Sequence, residues 1–194
     1  MPTLAGALKA VEAGVDGLIV EGGEGGGFKN PQPVASMVLL PLVREKVDVP
    51  IIAAGGITDG RTMAAAFALG AEGVQMGTRM VSSAESPVHE NWKRAIINAA
   101  ETDTVFLNQL SKPALRALRT QKTTRLERDA GPNIMMEFGS AKDLYFGGDM
   151  EASIALSGQV CGRIDQVKPV AQIIRETVDD FFKTVNGLST AYVR

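Results

Sequence analysis

The fold is decided by residues 49–79, whose sequence is VPIIAAGGITDGRTMAAAFALGAEGVQMGTR. The first six residues form a short apolar run, of the kind that is buried on both faces of a parallel sheet. This run ends at Gly55-Gly56, and a helical segment follows. The chain then repeats the order, with a second apolar run that ends at Gly77-Thr78. The stretch therefore predicts two consecutive strand-turn-helix units.

Both glycine turns suit a phosphate group. Glycine lets the backbone approach a ligand closely, and the first N–H groups of a helix have no partner within that helix. The positive end of the helix dipole adds to the attraction for an anion. Two such turns side by side predict a site for a phosphate dianion.

The same order of elements occurs earlier in the chain. Residues 10–22 and 66–77 both read helix, glycine, acidic residue, glycine, strand, glycine. Helices are predicted near 3–13, 34–46 and 60–69, and they alternate with strands near 17–21, 49–54 and 73–76. This alternation predicts an α/β fold with a parallel sheet. Two phosphate turns on neighbouring strands favour the last units of a (β/α)8 barrel over a doubly wound sheet, in which the phosphate site is usually one turn at a switch point.

Only three of the units of a barrel can be recognised. A complete barrel needs about 200 to 250 residues or more. We predict a partial (βα) barrel with the phosphate-binding turns over residues 1–104, and an extension of helices and loops over 105–194 that packs on it. Residues 169–185 have the apolar spacing of an amphipathic helix packed on the core, and the residues after Gly187 are predicted to be frayed. Either the chain is part of a longer protein, or a short form covers its open sheet edges by pairing as a homo-oligomer.

Composition excludes several classes of protein. The 194 residues are 45% hydrophobic and 22% charged, which is typical of a globular chain. The net charge of −2 does not indicate the positively charged surface that binds nucleic acid. The basic run over 112–128 has the spacing of a solvated helix face. No apolar run approaches the roughly 18 residues of a membrane span, and no signal peptide is recognisable. A cytoplasmic location is expected by default.

A metal site is not expected, because the chain has one cysteine and one histidine. For Cys161 a small buried residue is favoured over a nucleophile. For His89 a surface or helix-capping role is favoured over a catalytic one.

Several motifs, taken together and in order, resemble the nitronate monooxygenase family, formerly called 2-nitropropane dioxygenases. Relatives of this family include flavin-dependent enoyl-acyl-carrier-protein reductases and NAD(P)H:quinone reductases. The motifs are Glu21–Gly27, Val49–Ile57, Asp59–Arg61, Ala68–Gly73, Gln75–Arg79, Ala84–Pro87, Gly148–Asp149 and Ser157–Gly162. The resemblance covers nearly the whole chain, as the C-terminal part of a longer protein.

The resemblance implies a barrel that binds FMN and acts on a small-molecule substrate. The residues implied to contact the cofactor are Gly26, Gly27, Gly55, Gly56, Gln75, Gly77, Thr78 and Gln159. Four of them, Gly55, Gly56, Gly77 and Thr78, are implied to hold the FMN phosphate. Gln75 would end a strand beneath the flavin, and Gln159 would lie in a segment that closes over it.

One position departs from the family pattern. The family usually has a histidine at the position of Phe28, and that histidine is regarded as the catalytic acid or base. Phenylalanine cannot exchange a proton, so deprotonation of a neutral nitroalkane is in doubt. Glu24 and Lys29 are the nearby ionisable candidates, although a solvated loop charge is favoured for each.

The expected function is oxidation of alkyl nitronates with oxygen, because a nitronate is already an anion and needs no side-chain base. One alternative is an NAD(P)H-dependent flavin reductase that acts on a quinone or an enoyl thioester. Another is a non-catalytic half-barrel that only binds a phosphate compound.

Overall fold

The computed structural model describes residues 1–129 and 134–193 of the chain. Its helices are α1 (Leu4–Glu12), α2 (Ser36–Arg44), α3 (Gly60–Ala68), α4 (Thr78–Val81), α5 (Glu90–Ile97), α6 (Gln121–Arg128) and α7 (Val170–Tyr192). Its strands are β1 (Leu18–Glu21), β2 (Gly27–Lys29), β3 (Ile51–Ala54), β4 (Gly73–Gln75), β5 (Thr104–Leu107) and β6 (Ala114–Leu118). Single turns of 3-10 helix lie at Ile134–Glu137 and Gln159–Arg163, and a π turn lies at Asp143–Gly147.

The first sheet has the order β1-β3-β4, and both pairs are parallel. The register pairs Glu21 with Ala54 and Ala54 with Gln75, so these three residues form one row at the carboxyl ends of the strands. The predicted α/β class is confirmed. The three predicted strands and the three predicted helices are all present, with ends within about two residues of those expected, which is the usual disagreement between assignments.

One face of this sheet is covered and the other is open. Helices α1 and α2 cover the face that carries Val20 and Ile51, both fully buried. Burying each such side chain contributes about 1.5 to 3 kcal/mol. On the opposite face Ile19 is 45% exposed and Ile52 is 39% exposed. Within residues 1–129 and 134–193, no element fully covers this apolar face.

We expect the purified chain to self-associate, because burying Ile19 and Ile52 between two copies removes this apolar face from water. Sedimentation velocity over the micromolar range should show a species heavier than the monomer. The variant Ile19→Thr/Ile52→Thr should shift it towards monomer, whereas Leu8→Thr, at an exposed leucine on α1, should not. A wild-type chain that stays monomeric at every concentration would contradict the expectation.

The second sheet is antiparallel, with the order β2-β6-β5. It contradicts the prediction that residues 105–194 contain only helices and loops. Thr104–Leu107 is rich in β-branched and aromatic residues, which suit a pleated surface, and β6 finds its second partner some 90 residues earlier at β2. The tertiary pairing therefore overrides the local helical spacing.

The basic run is likewise not a single helix face. Arg116 lies in β6, where its Nε donates to the carbonyl oxygen of Gly23 at 2.8 Å. Only Lys122, Arg125 and Arg128 lie on α6. Arg116 thus connects the second sheet to the loop after β1.

Helix α7 packs across α3, and it differs from its prediction in two ways. Its core contact is carried by Ile173, whereas Ile174, Val178 and Phe182 are exposed, so core packing explains only one side of the apolar stripe. The helix also continues to Tyr192, so the expected fraying after Gly187 is wrong. No helix among the described residues has both the length and the apolar content to cross a membrane.

Candidate active site

A cleft of about 210 Å³ lies at the carboxyl ends of the three parallel strands. Seven of the eight residues predicted to contact a cofactor line it: Gly26, Gly27, Gly55, Gly56, Gln75, Gly77 and Thr78. The other lining residues are Glu21, Gly25, Ala54, Ile57, Val81, Leu156, Gly158 and Val160. The fold therefore brings together turns that lie far apart in the sequence.

The loop after β3 needs glycine for conformational reasons. Gly55 and Gly56 have φ angles of +78° and +77°, in the left-handed region that side chains other than glycine rarely adopt. A Cβ atom at Gly55 would also lie 3.0 Å from the carbonyl oxygen of Gly22. The turn is thus shaped by its contact with the loop after β1.

Other glycines leave space in the cleft. A Cβ atom at Gly77 or at Gly27 would have no heavy atom within 4 Å. Within residues 1–129 and 134–193, the backbone N–H groups of Gly56, Gly77 and Thr78 have no acceptor in the protein. Free donors beside open glycines form a cradle that fits the oxygens of a phosphate group.

Helix α3 contributes less to this cradle than predicted. The Asp59 carboxylate accepts the Thr62 N–H at 2.9 Å, and the Thr62 hydroxyl accepts the Asp59 N–H at 3.1 Å, so the helix caps its own first turn. Asp59 moreover lines a different cavity, with Arg79 and Arg163. The prediction that the start of α3 faces the anion is therefore wrong, and the donors nearest the cleft belong to the turn itself and to the start of α4.

The segment around Gly158 closes one side of the cleft. Its backbone N–H donates to the Thr78 hydroxyl at 2.9 Å, and the N–H of Gln159 donates to the Glu24 carbonyl at 2.9 Å. A Cβ atom at Gly26 would lie 2.5 Å from the carbonyl carbon of Ser157, so the two loops are in close backbone contact. The Gln159 side chain is exposed and does not line the cleft, in contrast to its predicted place.

This arrangement of turns can be compared with known proteins. Residues 2–180 match the nitronate monooxygenase family. The chain belongs to the nitronate monooxygenase family. The family resemblance noted in the sequence is thereby confirmed.

Three members or relatives show how much of the family this chain represents. The structure of FabK from Thermotoga maritima superposes with a TM-score of 0.92 at 41% identity, over 98% of this chain and 62% of that one. The (3aS,4S,5R,7aS)-5-hydroxy-7a-methyl-1-oxo-octahydro-1H-indene-4-carboxyl-CoA dehydrogenase of Rhodococcus jostii is 43% identical over 121 residues, 62% of this chain and 34% of the relative. A probable nitronate monooxygenase of Staphylococcus aureus strain Newman is 41% identical over 123 residues, 59% of this chain and 35% of the relative. Each match thus spans less than two thirds of the relative's length.

Phe28, at the position of the usual histidine of the nitronate monooxygenase family, does not line the cleft. The residue is 54% exposed, and its ring stacks on that of Phe138 with the ring centroids 6.0 Å apart. It lines a neighbouring pocket of about 560 Å³, whose other lining residues are Pro2, Glu21, Lys29, Asn30, Pro31, Lys112 and Pro113. Phe28 therefore shapes an apolar space beside the cleft.

Glu24 has a structural partner. Its carboxylate accepts the Ser36 N–H at 3.0 Å and the Ser36 hydroxyl at 2.7 Å. Ser36 is the first residue of α2, and the residue before it, Ala35, has no side-chain acceptor to offer. Glu24 thus caps α2 and stays outside the cleft.

Lys29 is buried, with 7% exposure, and forms an ion pair with Glu21 Oε1. Burial lowers the pKa of the Lys29 ammonium, and this effect exceeds the opposing effect of the hydrogen bond that the ammonium donates to Glu21. The expectation of a solvated loop charge at Lys29 is therefore wrong. Glu21 was not singled out from the sequence, although it is the last residue of β1, at the strand end where functional residues gather.

Cys161 and His89 have structural roles. Cys161 is buried, and burial raises the pKa of its thiol, which disfavours the nucleophilic thiolate. The Nδ1 atom of His89 accepts the Asn91 N–H at 3.1 Å and so caps α5. The interpretations favoured from the sequence, a small buried residue and a helix cap, are those that the structure shows.

Proposed function

We propose that this chain carries the cofactor cleft of an FMN-dependent oxidoreductase that oxidises small alkyl nitronates with oxygen. The observation that supports it is the pair of glycine turns after β3 and β4 in a member of the nitronate monooxygenase family. Three backbone donors in these turns have no acceptor among the described residues and could receive a phosphate. The parallel strands that carry these turns have the order expected for the last units of a (β/α)8 barrel.

The residues of the cleft fit the group proposed. The N–H groups of Gly56, Gly77 and Thr78 would hold the FMN phosphate, and the open side of Gly27 leaves room for the rest of the cofactor. The carboxylate of Glu21 lines the same cleft and would repel a phosphate dianion. This repulsion favours a phosphate position at the turns after β3 and β4, away from Glu21. A bound flavin would supply two-electron oxidation and pass the electrons on to oxygen.

A second candidate is a flavin reductase that takes electrons from NAD(P)H and acts on a thioester or a quinone. The relative from Rhodococcus jostii favours the thioester part of this candidate, because its name gives a carboxyl-CoA, which is a thioester, as the substrate of a dehydrogenase. The pocket beside the cleft is lined by Phe28, Pro113 and Lys112 among others, so it combines apolar surface with a cation. Such a surface suits an acyl chain attached to an anionic carrier.

Titration of the cofactor-free protein with FMN tests the proposal, with flavin fluorescence as the signal. We expect saturable binding, and about 100-fold weaker binding of riboflavin, because riboflavin lacks the phosphate and loses two or more charge-assisted hydrogen bonds. In the absence of oxygen, an alkyl nitronate should then bleach the flavin absorption.

Three other results would each contradict this proposal or favour one of the alternatives. Bleaching by NAD(P)H alone, with none by nitronate, would favour the reductase. Equal affinity for riboflavin and FMN would contradict the phosphate site. Failure to bind FMN at any concentration would contradict the oxidoreductase and leave the non-catalytic half-barrel.

A further inference from the structure

We propose that Glu21 is the proton acceptor of this cleft, held in place by Lys29, and that it removes the α-proton of a nitroalkane in place of the usual histidine. The proposal rests on the function proposed above and names the residue that transfers the proton at the same site. It assigns a role to a residue that lies outside the usual histidine position.

Glu21 is the one ionisable side chain among the described residues that line the cleft. It stands in the same row as Gln75, two strands away. Neighbouring strands lie about 4.8 Å apart, so the two residues lie side by side on one face of the sheet, roughly 10 Å apart. A small substrate bound beside the flavin, at the β1 end of this row, would therefore contact the carboxylate.

Lys29 fixes the carboxylate in one orientation. The ammonium pairs with Oε1, while Oε2 has no partner among the described residues, and 34% of the Glu21 side chain is exposed. Gly25 leaves the space for this pair, because a Cβ atom there would lie 2.3 Å from Oε1 and 2.6 Å from Lys29 Nζ. One oxygen is thus anchored and the other is free to accept a proton.

The other candidate bases are placed differently. Phe28 has no exchangeable proton, and Glu24 is engaged by Ser36. Lys29 lines the neighbouring pocket and not the cleft, so it acts on the reaction through Glu21. The charged groups that face the pair from other elements are the α-amino group of Met1, Glu24 and Arg116.

The step is a simple proton transfer. The bond between the α-carbon of the nitroalkane and its hydrogen breaks, and the proton forms an O–H bond with Glu21 Oε2. The electron pair of the broken bond stays on the substrate, which becomes the nitronate anion. No oxidant is needed for this step, so it can be followed without turnover.

Deuterium exchange at the α-carbon of nitroethane measures this step directly. The reaction is followed by proton NMR in oxygen-free, mildly acidic D₂O buffer, with FMN added and without it. Wild-type protein should accelerate exchange over buffer, and Glu21→Gln should lower the protein-catalysed rate by about 100-fold or more, the usual contribution of a general base. Glu12→Gln, at an exposed position on α1 with no ion pair in the described residues, should leave the rate unchanged.

Since Glu21→Gln leaves a buried ammonium unpaired, the double variant Glu21→Gln/Lys29→Met is the second test. It removes both charges and should lose exchange to the same extent. Lys29→Met alone should lower the exchange rate by less than Glu21→Gln does, because the carboxylate remains but is no longer held in one orientation, and Lys29→Arg, which keeps a cation beside Glu21, should restore the rate. If Lys29 served packing alone, methionine would support exchange as well as arginine does.

Exchange no faster than buffer, or equal exchange in wild type and in both variants that lack the carboxylate, would overturn the proposal. These outcomes are independent of the flavin reaction. Exchange that depends on Glu21, without bleaching by nitronate, would refute the proposed oxidation and leave this assignment standing. Bleaching by nitronate, without exchange of nitroethane, would refute the assignment of Glu21 and leave the proposed oxidation standing.

Discussion

Replacement of Gly77 by valine is expected to weaken FMN binding by about 100-fold or more, since it blocks two or more charge-assisted hydrogen bonds of about 1.5 to 3 kcal/mol each. The backbone of Gly77 has φ −91° and ψ −74°, so valine meets no left-handed strain there. The space around its Cβ is open and faces the cleft. The new side chain would therefore occupy the volume that the phosphate needs.

The same substitution should hardly change stability, because a side chain in open space disturbs no packing. We expect a melting temperature within about 2 °C of wild type, as for a surface substitution of about 0.5 kcal/mol. Flavin fluorescence titration and thermal unfolding followed by circular dichroism measure the two quantities. Gly187→Val, at another open glycine in α7, is the matched control and should leave both unchanged. If the Gly77→Val variant binds FMN with wild-type affinity, the phosphate does not bind at this turn.

The parallel half of the fold was predictable because its signals are local. Each strand of the first sheet is a short apolar run next to a glycine turn, and each helix carries its own start and stop residues. Thr3 caps α1 and Asp59 caps α3, both through side-chain oxygens. The antiparallel sheet was not predictable in this way, since β2 spans only 27–29 and is a strand because β6 pairs with it.

The same distinction between local signals and long-range contacts applies to the candidate site. The glycines of the cleft could be predicted, since the conformation and the open space they provide are properties of the turn. Glu21 was missed because its importance depends on the strand register and on a buried lysine eight residues later. Gln159 was assigned to the cleft although only the backbone of its segment takes part, through the N–H of Gly158. A sequence motif identifies the segment but not which of its atoms face inward.

Replacement of Gly60 by alanine should destabilise the protein by about 3 kcal/mol, the upper end of the usual cost of overpacking. This change in stability is opposite in sign to the change at an ordinary helix position, where alanine is more stable than glycine by about 1 kcal/mol. At Gly60 a Cβ atom would lie 2.1 Å from the backbone nitrogen of Phe181 and 2.5 Å from the carbonyl oxygen of Thr177. These are atoms of the α7 backbone, so the whole helix would have to move to make room.

Urea unfolding at equilibrium measures this effect, and Gly187→Ala is its control within α7. Gly187 has nothing within 4 Å of a Cβ, so alanine there should stabilise the protein by about 0.5 to 1 kcal/mol. For a chain of this size the two variants should differ in melting temperature by roughly 7 to 16 °C, at about 2 to 4 °C for each kcal/mol. A Gly60→Ala variant as stable as Gly187→Ala would show that α3 and α7 do not cross at this distance. The close crossing is what holds the long helix against the barrel units, because Ile173 and Phe181 contact the rest of the protein on the side that faces α3.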